Sequence, residues 1–483
     1  MHRENRLAHE AFVTNKEGGS PEEILMLSCI PTLSASLHGF LCRTSIVASL
    51  RTNLWSATVL DVLLQCVPFI LAVTVLSSYV ACVTFSLLAM SLGARVLCHY
   101  VHQKSKGTQK VPRKKKAPAK SCVVTAARSH VLLVTAVCIL GVDFPAFARR
   151  LAKNERSGFS QMDAGVGIFV AMAAASSPEG KSLLFFRGRN VVRAVKNSIA
   201  LIILGLLRVA TVKSLDYQSP VLEYGVHWNF FFTLAATRIA ASVVYTVLPA
   251  RYDWVVGSVL LIGYEAVLHL TTLNAFLDDG NRDGFVAANK EGLASLVGFL
   301  ALYLIMAGLS RRLLYSARSC IRDWMIMVQQ TCSLAFFGLA LTSMLHTNMA
   351  PVSRRLANLP YCLWTISLFL FTIVCFVLLQ IVDILFCEDG AHVDFNQIQV
   401  LHKAKATAGK SQEPDLLWSS INFNAMPMFL LVNLLTGLVN LVFHPRTAGT
   451  LSAVLVLVMY IFVAAFTTVF LYSRKMKLKL PFT

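Results

Sequence analysis

Two carboxylates, Asp143 and Asp163, bracket a stretch that also carries Arg149, Arg150, Lys153 and Arg156. That set opens two kinds of chemistry. A carboxylate beside an ammonium can relay a proton when burial tunes both groups, which makes Asp143 and Lys153 a candidate acid–base pair. Guanidinium groups hold a phosphate through two parallel hydrogen bonds, so Arg149, Arg150 and Arg156 are candidate anion ligands. From residue types alone a plainer reading stands beside these: Asp143 closes a helix and is neutralised by Arg149 or Arg150, while the cations snorkel to an interface. Asp143 and Lys153 are ten residues apart with Pro145 between them. This is neither i,i+3 nor i,i+4 spacing, so the chain must fold back if the two are to meet.

The elements that must position these residues are apolar. Of 483 residues 56% are hydrophobic and 14% charged, which asks for lipid as solvent. A hydrocarbon core of about 30 Å is crossed by about 20 helical residues. Runs of that kind fall near 24–47, 59–76, 78–99, 124–143, 161–177, 197–213, 228–248, 254–274, 291–309, 324–346, 360–387, 419–443 and 449–473. The predicted fold class is therefore all-α, a polytopic transmembrane protein of about 13 helices. The apolar stretch from Val59 to Cys98 is too long for one crossing and is divided at Ser77 and Ser78. A polar tail over 1–23, a single transmembrane domain over 24–473 and a basic tail over 474–483 complete the expected organisation, with a basic loop at 102–120 and a polar loop at 388–417. No internal repeat or N-x-Ser/Thr sequon is present. Residues 1–23 lack the pattern of a cleaved signal peptide.

The net charge of +19 lies mainly in short connections between apolar runs, a placement that argues against a nucleic-acid face. An odd number of spans gives the face with the C-terminal tail roughly twice the Lys and Arg of the other, predicting a cytosolic C-terminus and an N-terminus across the membrane. The Asp143–Asp163 connection breaks that rule by placing four cations on the poor face. Its acids sit at membrane depth, where carboxylates are costly unless paired or functional. Most of the 12 cysteines fall inside apolar runs without a CxxC pair, so neither a disulfide framework nor a metal site is expected. The loop Asp278–Glu291 begins like a calcium-binding EF-hand. With Asp279 as first ligand its twelfth position is Lys290, which fails the pattern.

The stretch DFPAFARRLAKNERSGFSQMDAGVG from Asp143 to Gly167 closely resembles the signature of the glycosylphosphatidylinositol-anchor inositol acyltransferases, the PIG-W family. Similarity continues in the segments Glu223–Thr233 (EYGVHWNFFFT) and Arg282–Gly292 (RDGFVAANKEG), and around Asn422 and Asn424, covering about residues 20–475. The resemblance implies 13 transmembrane helices in the endoplasmic reticulum membrane, with a lumenal N-terminus. It implies transfer of a fatty acyl chain, palmitoyl expected, from acyl-CoA to the inositol of glucosaminyl-phosphatidylinositol, with acyl-CoA as co-substrate and no cofactor. It maps the catalytic acid and lysine onto Asp143 and Lys153. Departures are the long basic Lys104–Lys120 connection and Asp283, where glutamate is more usual.

Acyl transfer to an alcohol needs a base for the hydroxyl proton, a role worth about 10²–10⁴-fold. Asp143 as base with Lys153 as charge partner, and the reverse assignment, are both chemically sound. His227 is the alternative base, by analogy with the intramembrane histidine of MBOAT acyltransferases. Substrate contacts are expected from Arg149, Arg150, Asn154, Arg156, Asp163, His227, Asn229 and Asn289, while Asn422 and Asn424 are helix-start or pocket residues. Arg187 and Arg189 are candidate ligands for CoA phosphates, with loop charge as the plainer explanation. A multi-span lipid transporter or flippase is the rival function, and a catalytically silent scaffold a third.

Overall fold

The computed structural model describes residues 18–42, 44–51, 53–105, 120–182, 187–214, 221–316, 318, 320–387 and 416–478. Each predicted apolar run falls on a long helix. These are α1 (Pro21–Leu41), α2 (Leu54–Val73), α3 (Val80–Ser105), α4 (Lys120–Gly141), α5 (Gln161–Ser176), α6 (Arg187–Ser214), α7 (Phe230–Val247), α8 (Asp253–Leu270), α9 (Lys290–Leu313), α10 (Ile321–Asn348), α11 (Leu359–Cys387), α12 (Ala425–Val442) and α13 (Thr450–Ser473). Among the described residues, eleven segments are long and apolar enough to cross a bilayer. The two predicted spans outside that set are α5, apolar but only 16 residues long, and α6, which begins in the basic Arg187–Lys196 stretch. Among the described residues, the one isolated extended pairing joins Gly19 to Phe159.

The division between α2 and α3 falls where expected, with Ser77–Tyr79 forming a single 3-10 turn. Most of the basic loop 102–120 and the polar loop 388–417 lie outside the described residues, as do residues 183–186 and the side chains of Arg187 and Arg189.

α11 runs through the centre, with Tyr361, Trp364, Leu368 and Val377 fully buried. α5, α9 and α10 pack against it, and α8 pairs with α9 as α6 does with α7. Two glycines set the closest approaches. Gly167 of α5 lies against Tyr361 and Thr365, and Gly298 of α9 lies against the carbonyl of Ala357, a non-glycine residue at φ 48. A methyl at residue 298 would collide with that carbonyl. Gly298→Ala is therefore expected to lower stability by about 1–3 kcal/mol. Thermal unfolding of the purified protein checks this, and an unchanged midpoint would mean that the Ala357 turn moves freely.

The first hairpin holds a buried polar cluster. His38 Nε2 lies 2.8 Å from Asp61 Oδ1, Gln65 Nε2 lies 3.1 Å from His38 Nδ1, and Arg51 pairs with Asp61. Asp61 immediately precedes a π-helical turn at Val62–Cys66 that widens α2 beside this cluster. The side chains are paired with one another, as ionisable groups within a membrane must be.

Connections that the charge alternation assigns to one face meet one another. Arg150 reaches Glu23 and the Ser77 carbonyl, Gly158 donates to Val352 O, and Arg355 pairs with Asp278. At the other ends of the helices, Arg311 donates to Ala250 O and Asp253.

Candidate functional site

The Asp143–Asp163 connection is an ordered loop. α4 ends at Gly141, and the Arg149 guanidinium folds back over the following turn to donate to Val142 O at 2.8 Å, Phe144 O at 2.6 Å and Phe147 O at 3.2 Å. A 3-10 turn at Arg149–Leu151 follows, and Ser160 caps α5 through the Asp163 N–H. The far side of the loop is braced by the Ser353–Asn358 turn, where Ser353 Oγ donates to Arg156 O at 2.6 Å.

This packing brings four ionisable side chains into a chain. Lys153 Nζ lies 2.6 Å from Glu223 Oε1, Arg354 Nη1 lies 3.6 Å from the same oxygen, and Arg354 Nε lies 2.6 Å from Asp163 Oδ1. Asp163 Oδ2 also accepts the Asn154 N–H at 3.0 Å. Arg354 and Asp163 are buried, whereas the Lys153 side chain keeps 34% of its surface exposed. Burial would raise the Glu223 pKa, but the charges of Lys153 and Arg354 outweigh it and hold the carboxylate down to about 2. Burial lowers the pKa of Arg354, and the carboxylates of Asp163 and Glu223 reverse that to a net rise. The Asn154 amide is buried here without a hydrogen-bond partner among the described residues, and Tyr224 lies beside Arg354, whose guanidinium carbon is 5.4 Å from its ring centre.

The sign of the Glu223 shift fixes a pH dependence. A carboxyl at about 2 in the fold and at its ordinary 4.5 when unfolded contributes stability that is fully present above pH 4.5. That contribution is lost as pH falls from 4.5 towards 2. The melting temperature of the wild type is expected to fall more steeply over this window than that of Glu223→Gln; parallel curves would remove the carboxylate from the account.

The expected partners are redistributed. Lys153 pairs with Glu223, while Asp143 Oδ2 accepts from Asn440 Nδ2 of α12 at 2.9 Å and has Arg149 as its neighbouring positive charge. Arg149 and Arg150 are occupied by backbone carbonyls and Glu23, whereas Arg156 is exposed. The His227 ring is exposed and its backbone N–H donates to Asn289 Oδ1 at 2.8 Å. Asn289 Nδ2 is bound to Phe285 O, so this amide fastens one loop to another. Asn229 caps α7 and donates to Gly205 O.

Asn422 and Asn424 stand elsewhere. Asn422 donates to Thr125 Oγ1 on α4, and Asn424 clamps the C-terminal tail by donating to Met476 O and accepting from Leu478 N, both at 3.0 Å. Thr125 and Gly141 are separated by most of α4, about 24 Å at 1.5 Å per residue, which puts this pair at the opposite end of the bundle from Lys153.

Glu223, Tyr224 and Arg354 are absent from the sequence-based set of site residues. Arg354 and Arg355 carried a usable signal, since they are adjacent cations on the face otherwise poor in them, as are Arg149 and Arg150.

Fold and cluster together define an all-helical, multi-span membrane protein with a chain of ionisable side chains joined between its interhelical loops. Residues 5–471 match the family described as GWT1, and the chain belongs to it. The Mus musculus protein named glucosaminyl-phosphatidylinositol-acyltransferase PIGW is 32% identical over 485 residues, covering 94% of this chain and 95% of that protein. The Homo sapiens protein of the same name is 29% identical, with coverage of 94% and 95%. GPI-anchored wall transfer protein 1 of Candida albicans is 29% identical and covers 98% of each chain.

Proposed function

We propose that this chain is an inositol acyltransferase of GPI-anchor biosynthesis, moving a fatty acyl group onto the inositol ring of glucosaminyl-phosphatidylinositol. Family membership along nearly the whole chain supports the reaction, and the observation that carries a site for it is the Lys153–Glu223–Arg354–Asp163 relay. Acyl-CoA is the donor in this reading, the endoplasmic reticulum membrane the location, and the face bearing the relay the lumenal one.

In the transfer, the inositol oxygen attacks the thioester carbonyl and the carbon–sulfur bond breaks. The hydroxyl proton leaves through a base and ends on the departing thiolate, so no proton is gained or lost overall. Lys153, oriented by its ion pair with Glu223, faces the oxygen of the thioester as negative charge develops there. Asp143, half-buried at the end of α4, takes the hydroxyl proton. The exposed Arg156 binds the acceptor phosphate, and the Asn154 amide, without a partner among the described residues, orients its ring.

Membranes containing the chain, given labelled palmitoyl-CoA and glucosaminyl-phosphatidylinositol, are expected to form acylated inositol lipid. Absence of product with both substrates present would overturn the enzyme reading and favour a lipid transporter. Asp143→Asn should reduce the product by about 10²-fold or more.

A further inference from the structure

The Asp143 carboxylate is held by an amide that lies 297 residues further along the chain. Asn440 stands in the last turn of α12, and its Nδ2 donates to Asp143 Oδ2 at 2.9 Å. The end of α12 is fixed against the same turn, since the Phe443 ring lies 6.3 Å from the Phe144 ring. The Asp143 N–H donates to Leu140 O at 3.1 Å, and Arg149 fastens the carbonyls of Val142, Phe144 and Phe147. Backbone and side chain of Asp143 are thus set from different elements. An N–H on one carboxylate oxygen fixes the plane of the group, and with it the direction from which a proton arrives.

The other end of the amide points to a ligand. Asn440 Oδ1 is buried and has no hydrogen-bond partner among the described residues. A buried acceptor left without a donor is unfavourable and asks for a reason other than packing. A helical asparagine can donate to the carbonyl one turn back, as Asn433 Nδ2 of the same helix does to Phe429 O at 2.7 Å. Asn440 spans to Asp143 instead. An inositol ring carries oxygen on every carbon, so a hydroxyl beside the reacting one can donate to Oδ1 while the reacting one faces Asp143. Leu434, Leu438 and Leu441 on the other side of α12 are exposed, which leaves a single helix between this pair and the bilayer that supplies the acceptor lipid.

We infer that Asn440 is a positioning residue for acyl transfer: its Nδ2 aims Asp143, and its Oδ1 accepts a second hydroxyl of the inositol ring. The inference rests on Asp143 as the base.

Initial rates of the full-length chain in membranes, with labelled palmitoyl-CoA and either glucosaminyl-phosphatidylinositol or its monodeoxyinositol analogues, test this. Asn440→Ala is expected to lower kcat at least about tenfold and to raise KM for the acceptor, with KM for palmitoyl-CoA unchanged. Asn440→Gln, which keeps the amide but displaces it, should lose rate in the same way at an unchanged melting temperature. Asn433→Ala, on the same helix, should keep wild-type kcat. One deoxy analogue should be poor for the wild type yet no worse for Asn440→Ala than the full acceptor is, because both changes remove one bond. A purely structural role would slow every acceptor by the same factor, and that result would overturn the inference. So would kcat of Asn440→Ala within about threefold of wild type while Asp143→Asn is inactive, which leaves the base in place. Full turnover in Asp143→Asn would remove the base and this inference together.

Discussion

Lys153→Ala is expected to abolish most acyl transfer, lowering turnover by about 10²–10³-fold, while the protein stays folded. The ammonium is half-exposed and fastened to Glu223 at one point, so its removal opens no cavity and strands a carboxylate that Arg354 still faces. Glu223→Gln keeps the lysine but loosens it, and should give an intermediate loss. Initial rates with labelled acyl-CoA, read beside melting temperatures, check both. Turnover of Lys153→Ala within about threefold of wild type would remove the lysine from the chemistry and leave Asp143 to act without it.

Arg354→Met should act first on the fold. The guanidinium is 3% exposed and is the cation shared by Asp163 and Glu223, so its loss leaves Asp163 buried without an opposing charge. Breaking one side of such a pair costs about 3–5 kcal/mol. The expected result is a markedly lower melting temperature, partly restored in the double variant with Asp163→Asn, because the two sites share one interaction. A single variant as stable as wild type, or a double variant no better than the single, would show that solvent replaces the guanidinium.

Much of the architecture was legible because hydropathy over about 20 residues is a local property. The turn at Ser77–Tyr79 and the places of the long helices follow from it. The charge rule went further and marked the Asp143–Asp163 loop, which does carry Lys153, Asn154 and Asp163 into one cluster. Pairing was another matter. Glu223 lies 70 residues from Lys153 and Arg354 lies 191 from Asp163, and nothing in the composition of either loop states which of the facing loops it will touch. The expected Asp143–Lys153 pair required the chain to fold back between them, whereas Arg149 folds over the turn after α4, Asn440 reaches Asp143 from α12, and Lys153 is taken by Glu223. Asn422 and Asn424 were ambiguous for a similar reason, since the same residue type caps helices, lines pockets and clamps backbone.

The loop that began like a calcium site has a consequence of its own. Lys290 Nζ donates to the carbonyls of Phe276 at 2.7 Å, Asp279 at 2.5 Å and Asn281 at 3.3 Å, while Arg282 grips Glu291 through two hydrogen bonds of 2.7 Å. The converging oxygens that would attract a dissolved ion are filled by a counter-ion that the polypeptide supplies to itself. Such a tethered charge cannot be titrated away by a chelator or diluted in a calcium-poor compartment, so this corner of the molecule keeps its shape independently of the ionic fluctuations around it.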